Sequence, residues 1–481
     1  MKGKYSEKLI IAQGPGTLLH LRVPLTRVLM THSCLPRFAL HSGYAVAIGL
    51  LVLTSSLANG QVASRDAAPS KAVEATAPVN AGPAWLTVGG QLRARAEAYT
   101  GGGFKPDNSD EYLLTRVLLN ARIHPTRTTS LFVEGMDARG PWKNTAPAGA
   151  PFRDHSDLRQ LYLQIGLDNS AQLLRAGRLE LAFGDGRLVG SLPWANTART
   201  FDGALTTFTG SGYRVDAFAA SVVKVDQNKF DKNVPGNNFY GVYGSTPRLV
   251  RNGIVQPFFF WRRQSGLTSE LGVRGTMNFG TLGLRAAGRL PSNFDYDAQI
   301  AAQRGSLGDE SIRAWAGHGL LGYTLASAAL TPRLFAEYNQ ASGDANPTDN
   351  RKGTFDQLYP TGHDKYGLTD LVGWQNMKHL RSGLDLSISK NWGATARYSS
   401  YWLADAHDAL YNGGGAVLAR SATGVAGTYV GQEVDLIASG KIRPGLGFSA
   451  GVGRFAPGTF LKNTTPGRTY TYPYAMLTYD F

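Results

Sequence analysis

The chain has 481 residues, a net charge of +14, 43% hydrophobic and only 17% charged residues, with 58 glycines and 10% aromatics. An ordinary globular protein carries about 25% charged residues, so this composition favours turns and aromatic segments over long charged helices. The basic residues are spread along the chain, not gathered in one patch, which argues against a nucleic-acid partner.

The first element is an export leader. "GYAVAIGLLVLTSSLA" is an uncharged apolar run after Arg37 and His41, and it ends in Ser56-Leu57-Ala58. Basic region, short apolar core and small-residue site are the order of a secretory signal peptide, expected over residues 1–58. A core of about 14 residues is too short to span a bilayer as a helix. The stretch before the run is long for a basic region, so Met30 is an expected alternative start. The single cysteine, Cys34, lies ahead of the apolar run. Removing the leader leaves 43 basic and 34 acidic residues, net +9, and no cysteine. An exported chain without disulfides needs another source of stability, and membrane insertion is one. Residues 59–84 read as an Ala/Pro-rich, disordered lead-in.

From Trp85 to Phe481 short alternating segments recur between Gly, Asn, Asp and Pro. In "LRARAEAY" Leu92, Ala94 and Ala96 share one face, and Arg93, Arg95, Glu97 and Tyr99 the other. "VLLNARIH", "LRSGLDLSIS" and "WGATARYSSYW" alternate in the same way, because successive strand side chains point to opposite faces. The segments are about ten residues long, the length of a tilted membrane-crossing strand. Short joints near Pro125, Gly393 and Pro444 contrast with long polar ones at 100–112, 226–250, 342–375 and 404–428. That asymmetry is the outer-membrane pattern. Aromatics at "FFFW" (258–261) and at Tyr470, Tyr472 and Tyr474 suit interfacial girdles. The fold expected is all-β: a closed, monomeric, antiparallel transmembrane β-barrel with 18 strands, 16 being the alternative. In "YPYAMLTYDF" the residues Leu477, Tyr479 and Phe481 share a face and end the chain on an aromatic, as in the signal for barrel assembly.

The stretch "GRLELAFGDGRLVGSLPWANTARTFDG" (177–203) resembles a catalytic or phosphate-binding loop only superficially. "GDGRLVG" lacks the P-loop Lys-Ser/Thr and opens no helix, and no G-x-S-x-G is near. The nine histidines show no metal spacing. No cofactor, no metal and no enzyme activity are expected, although a barrel lipase or deacylase is a rival reading.

Together with "DEYLLTRVLLNAR" (110–122), "DLRQLYLQ" (157–164), "YPTGHDKYGLTDLVGWQNMKHLRSGLD" (359–385) and "GFSAGVGRFAPG" (447–458), this stretch resembles the alginate export family of outer-membrane porins. The resemblance implies an 18-stranded barrel in the bacterial outer membrane, through which an anionic polyuronate passes along a ladder of arginines. Arginine suits such a ladder, since it is always charged and its planar fork can meet a carboxylate through two hydrogen bonds. The candidates are Arg178 and Arg187 with Glu180 and Asp185 as orienting partners, and Arg199 with Asp202. Further rungs are Arg93, Arg116, Arg122, Arg381, Arg397 and Arg454. Trp194 and Asn196 read as turn and packing residues. Expected partners are outer-membrane lipid and lipopolysaccharide, the barrel-assembly machinery, an anionic polysaccharide substrate and periplasmic export components. Import of small carboxylates through the same wall chemistry is the alternative, and a structural barrel a third.

Overall fold

The computed structural model describes residues 83–146, 149 and 151–481. The expected signal peptide 1–58, the Met30 start and nearly all of the Ala/Pro-rich lead-in lie outside the described residues.

Eighteen strands close one antiparallel barrel. In chain order they are β1 Leu86–Tyr99, β2 Asp110–Ile123, β3 Thr129–Arg139, β4 Asp154–Ile165, β5 Gln172–Leu179 and β6 Phe201–Gly210. They continue as β7 Tyr213–Lys224, β8 Lys232–Ser245, β9 Gly253–Thr268, β10 Arg274–Arg289, β11 Phe294–Leu307 and β12 Glu310–Thr324. The last six are β13 Arg333–Ala341, β14 Met377–Ser387, β15 Trp392–Leu403, β16 Tyr429–Arg443, β17 Leu446–Pro457 and β18 Tyr470–Asp480. Each strand pairs with the next in sequence, and β18 pairs back onto β1 from Gln91↔Asp480 to Glu97↔Tyr474. Closure leaves no unpaired edge, which lipid would penalise because it offers no hydrogen-bond partner. A short segment, Arg351–Lys352, adds to the same sheet by pairing parallel with β12.

The connections sort by end. At the end holding Leu86 and Phe481 they are short, such as 211–212 and 444–445. There Gly212 (φ 79°) and Gly445 (φ 75°) take the left-handed backbone that two-residue hairpins need. At the opposite end lie 140–153, 180–200, 342–376 and 404–428. One expected loop is corrected: 226–250 is not a long polar connection, because β8 runs through it. "PGNNFYGVYGS" alternates buried Phe239 and Tyr243 with exposed Val242. The asparagines and glycines there masked a strand pattern.

Alternation sets the two faces. Leu92, Leu282, Ile300, Leu380, Leu436 and Leu477 are large, apolar and exposed on the outer wall, as a lipid-facing band requires. The inner wall is less uniformly polar than the alternation implied. Phe258 and Phe260 are buried and point inward while Phe259 and Trp261 face out. Tyr472 and Tyr474 are likewise buried. These inward aromatics, with the half-buried Tyr470 beside them, are therefore lumen packing and not an interfacial girdle.

At the seam, Phe481 and Gly90 exchange backbone hydrogen bonds (2.9 and 3.0 Å), and the Phe481 ring stacks on Tyr479 at 5.9 Å. Leu477 and Tyr479 are exposed on the outer face. Deleting Phe481 removes two bonds at the point of closure together with the terminal aromatic. The expected result is a clear fall in folded barrel recovered from membranes, read as the heat-modifiable band on gels. Normal recovery would remove Phe481 from the assembly signal.

Candidate functional site

Two of the long connections, 180–200 and 342–376, turn inward and meet inside the barrel. Val189 and Tyr359 form a parallel bridge. Around it Tyr359 N–H donates to Leu188 O (2.9 Å), Gly190 N–H to Tyr359 O (2.9 Å) and Thr361 N–H to Gly186 O (2.8 Å). Both connections are apolar enough to anchor in the lumen. Phe183, Leu188 and Val189 from one, and Phe355, Tyr366 and Trp374 from the other, join the inward aromatics of the wall in one buried cluster. Phe183 stacks between Phe218 (5.3 Å) and Tyr243 (5.0 Å). Such contacts are individually weak but collectively hold a loop that would otherwise lose conformational entropy without return.

The charged side chains of the wall clamp these loops. Arg93 on β1 and Arg116 on β2 stand directly opposite each other. Arg93 donates to Pro193 O (2.8 Å), Ala195 O (3.1 Å) and Asn196 Oδ1 (3.0 Å). Arg116 donates to Pro193 O (3.2 Å), Ala195 O (3.1 Å) and Gln91 Oε1 (2.5 Å). Asn196 answers from the loop, donating to Thr115 O, Arg139 O and Phe152 O at 2.9–3.1 Å. Arg95 pairs with Glu97 and donates to Trp194 O (2.6 Å), with its guanidinium 3.9 Å above the Trp194 ring. The other face of Trp194 stacks on His363 at 3.8 Å, tying the two loops together. Trp194 and Asn196 thus pack and turn the loop.

Arg187, 3% exposed, reaches from the first loop to the wall. It contacts Asn339 (3.1 Å), His318 (3.3 Å) and Glu337 (3.4 Å), besides Asp185 (3.2 Å) and Tyr366 (3.2 Å) of the loops. Burial opposes ionisation of Asp185, but Lys365 and Arg187 outweigh it and hold the carboxyl well below the usual range. Glu337 also accepts from Arg381 (2.8 Å), and Arg381 donates onward to Asp364 O (2.8 Å). Arg397 pairs with the Asp364 carboxylate. Burial works against that carboxylate too, yet Arg397 and Arg381 keep it below its ordinary value. On the far wall Arg262 takes Asp356 through two bonds of 2.8–2.9 Å. Arg95, Arg262, Glu337, Asp356 and Asp364 were not singled out from sequence. Alternation puts Arg95 on the polar face of β1 with Arg93 and could have placed Arg262 and Glu337 on the inner wall, but nothing local marks a loop aspartate as a wall partner.

Several sequence-derived placements change. Arg178 and Asp202 form a bidentate pair (2.7 and 3.1 Å), but on the outer side of the wall. Their neighbours Leu179 and Phe201 are the residues that enter the lumen cluster. Glu180 pairs with Arg159, which it shares with Glu134, and not with Arg178. Arg199 has no pairing with Asp202. It donates to Gly190 O (3.3 Å) and Pro360 O (3.0 Å), and burial brings it down to about 10. Arg454 is exposed and alternates with buried Gly453 and Phe455, so it lies on the outer wall and is not a lumen rung. Arg122 faces inward and bonds Ser130, Tyr162 and Gln164 at 3.2–3.3 Å.

The inward arginines therefore divide in two. Arg95, Arg187, Arg381 and Arg397 are neutralised by carboxylates. Among the described residues, Arg93, Arg116, Arg122 and Arg199 make hydrogen bonds to neutral oxygens and no ion pair. Nε of Arg93 and Nε of Arg116 are buried without a partner. These four carry their charge without a direct ion pair, with Glu97 acting on Arg93 and Glu134 and Glu180 on Arg116 only at longer range, and a buried unpaired donor favours the approach of an anion.

The sequence model of the alginate export family matches residues 84–474. The chain belongs to the alginate export family. Solved structures sharing the fold are outer-membrane porins. Pseudomonas aeruginosa OpdO matches at 14% identity over 82% of this chain and 97% of that one, with a TM-score of 0.56. Pseudomonas aeruginosa OccK2 (OpdF), solved in complex with glucuronate, matches at 13% identity over 84% and 99%, with a TM-score of 0.54. Acinetobacter baumannii OccAB2 matches at 12% identity over 82% and 98%, also with a TM-score of 0.54. No curated protein matches the chain. Family and fold together make this alginate-export-family barrel an outer-membrane channel.

Proposed function

We propose that this channel conducts a carboxylate-bearing saccharide, an alginate-like polyuronate or its oligomers, past Arg93 and Arg116. The observation that carries the reading is the cross-strand pair Arg93 and Arg116, whose guanidiniums are held by the same carbonyl oxygens, each with an unpartnered Nε. A sugar carboxylate can displace a neutral carbonyl from such a group, because the charge-assisted bond is roughly twice as strong. It need not break an ion pair to do so. Arg122 and Arg199 extend the same chemistry along the lumen, so a chain of carboxylates is handed on without being trapped. Outside the barrel, the exposed Arg454 suits lipopolysaccharide phosphate. Barrel-assembly machinery and periplasmic export components complete the partners.

A second reading, passage of small carboxylates, is favoured by the neighbour that binds glucuronate. Planar-bilayer recording of the refolded barrel under a KCl gradient separates the two. The expected result is an anion-selective reversal potential and current block by oligouronates at concentrations where monomeric glucuronate has no effect. Equal block by the monomer would favour the small-carboxylate porin. Absence of conductance would sink both.

A further inference from the structure

The β7–β8 connection, 225–231, does not simply cap its own hairpin. Pairing of β5 with β4 stops at Leu161↔Arg178, because the chain then turns into the lumen. The upper part of β4 is left without β5 beside it, and the 225–231 connection crosses to fill that place. His155 N–H donates to Gln227 O (3.2 Å), Asp231 N–H to Asp157 Oδ2 (2.6 Å), and Arg178 to Asp231 O (2.9 Å).

At this junction three carboxylates converge. Asp154, Asp157 and Asp231 each bring an oxygen within 4.8 Å of the others. Residues 154 and 157 would point to opposite faces of a regular strand about 10 Å apart. Here Ser156 takes a left-handed backbone (φ 55°) at an irregularity in the β3–β4 register, and the two side chains meet. Asp157 accepts backbone N–H groups from Leu158 (2.5 Å) and Asp231 (2.6 Å), which fix its direction. Asp154 is the anomaly. It is 1% exposed, and neither of its oxygens has a hydrogen-bond partner. A buried carboxylate with both oxygens unsatisfied is strongly unfavourable unless something compensates it. Two more carboxylates stand beside it and repel its charge, and the Arg178 guanidinium, already paired with Asp202, offsets this only in part.

We propose that Asp154, Asp157 and Asp231 bind a divalent hard cation, Ca²⁺, which pins the 225–231 connection to the top of β4. Three carboxylates with no histidine or cysteine are an oxygen-only donor set, the kind Ca²⁺ takes. Ligand oxygens at about 2.3–2.6 Å from Ca²⁺ can lie up to about 5 Å apart, a span this cluster matches. Mg²⁺ requires shorter, near-octahedral distances. The cation supplies the missing partner of Asp154 and removes the repulsion among the three acids. The site lies at the long-loop end of the wall, apart from the lumen, and does not depend on what the channel carries.

The test uses the full-length barrel refolded in detergent without lipopolysaccharide, so that cations held by lipid phosphates do not contribute. Equilibrium dialysis against Ca²⁺ is expected to give one tightly held ion per chain, and thermal unfolding is expected to shift upward with added Ca²⁺. Asp154→Asn removes the unpaired ligand and should weaken binding by about tenfold or more, with loss of the thermal shift. Asp231→Asn, in the connection, serves if the first variant folds poorly. Stoichiometric binding retained in both variants would overturn the assignment. So would no binding at millimolar Ca²⁺, which would mean that Asp154 holds a proton in place of a metal. Mg²⁺ bound in preference to Ca²⁺ would overturn the choice of ion.

Discussion

Replacing Arg93 and Arg116 together with glutamine is expected to lower the preference for chloride over potassium by on the order of tenfold. An anion about 4 Å from one guanidinium in water gains about 1 kcal/mol, and two groups about twice that. Neither arginine makes a direct ion pair among the described residues, and the carboxylates that act on them, Glu97, Glu134 and Glu180, do so only at longer range, so both charges are felt by the ion. Glutamine keeps an amide donor for the carbonyls of Pro193 and Ala195, so the inward loop stays anchored while the charge goes. Glutamate at both positions reverses the charge and repels those carbonyls. It should turn the reversal potential cation-selective and raise the open-channel conductance as 193–196 is released. The same substitution at Arg178 is the comparison, because that side chain is paired with Asp202 on the outer wall. If the glutamine variant folds and its reversal potential is unchanged, these two arginines do not face the conducted ion.

Glu337→Ala is expected to be the most destabilising single change in the lumen. This carboxylate is 1% exposed and takes Arg381 (2.8 Å), Arg187 (3.4 Å) and His318 (3.3 Å). Through Arg187 it holds the first inward loop, and through Arg381 it reaches Asp364 in the second. Removing one partner of a buried pair costs about 3–5 kcal/mol, because the other charge is left uncompensated. With a urea slope of about 3 kcal/mol/M, since the slope rises with the size of the protein, the unfolding midpoint should fall by about 1–2 M. Glu337→Gln, which keeps the volume and one acceptor, should lose less. A midpoint unchanged in the alanine variant would show that the loops are held by their aromatic packing alone.

The two experiments address different properties of one arrangement. Arginines that hold a loop through carboxylates rigidify it, whereas arginines that hold it through carbonyls retain charge for an ion. The stretch 177–203 contains both kinds, Arg187 and Arg199, besides Arg178 on the opposite face. Sequence proximity therefore says little about which of them acts together.

Alternation and joint length determined much by themselves. Period-two patterning placed Arg93, Arg116 and Arg122 on one face and Leu92, Val117 and Leu119 on the other. Strands of membrane-crossing length with asymmetric joints led to an 18-stranded barrel. These features are local, since a strand's faces follow from its own backbone. The strand β8, Lys232–Ser245, was missed because Gly and Asn imitate a loop, and Tyr472, Tyr474 and Phe260 were misassigned because aromatics suit both a girdle and a packed lumen. Only the tertiary structure decided that 180–200 and 342–376 turn inward, that Glu180 meets Arg159, and that Arg199 and Asp202 stay apart. It alone brings Asp154, Asp157 and Asp231 together. Partners far apart in sequence are chosen by closure of the barrel and by the burial of apolar loop residues. No charge pattern along the chain encodes either one.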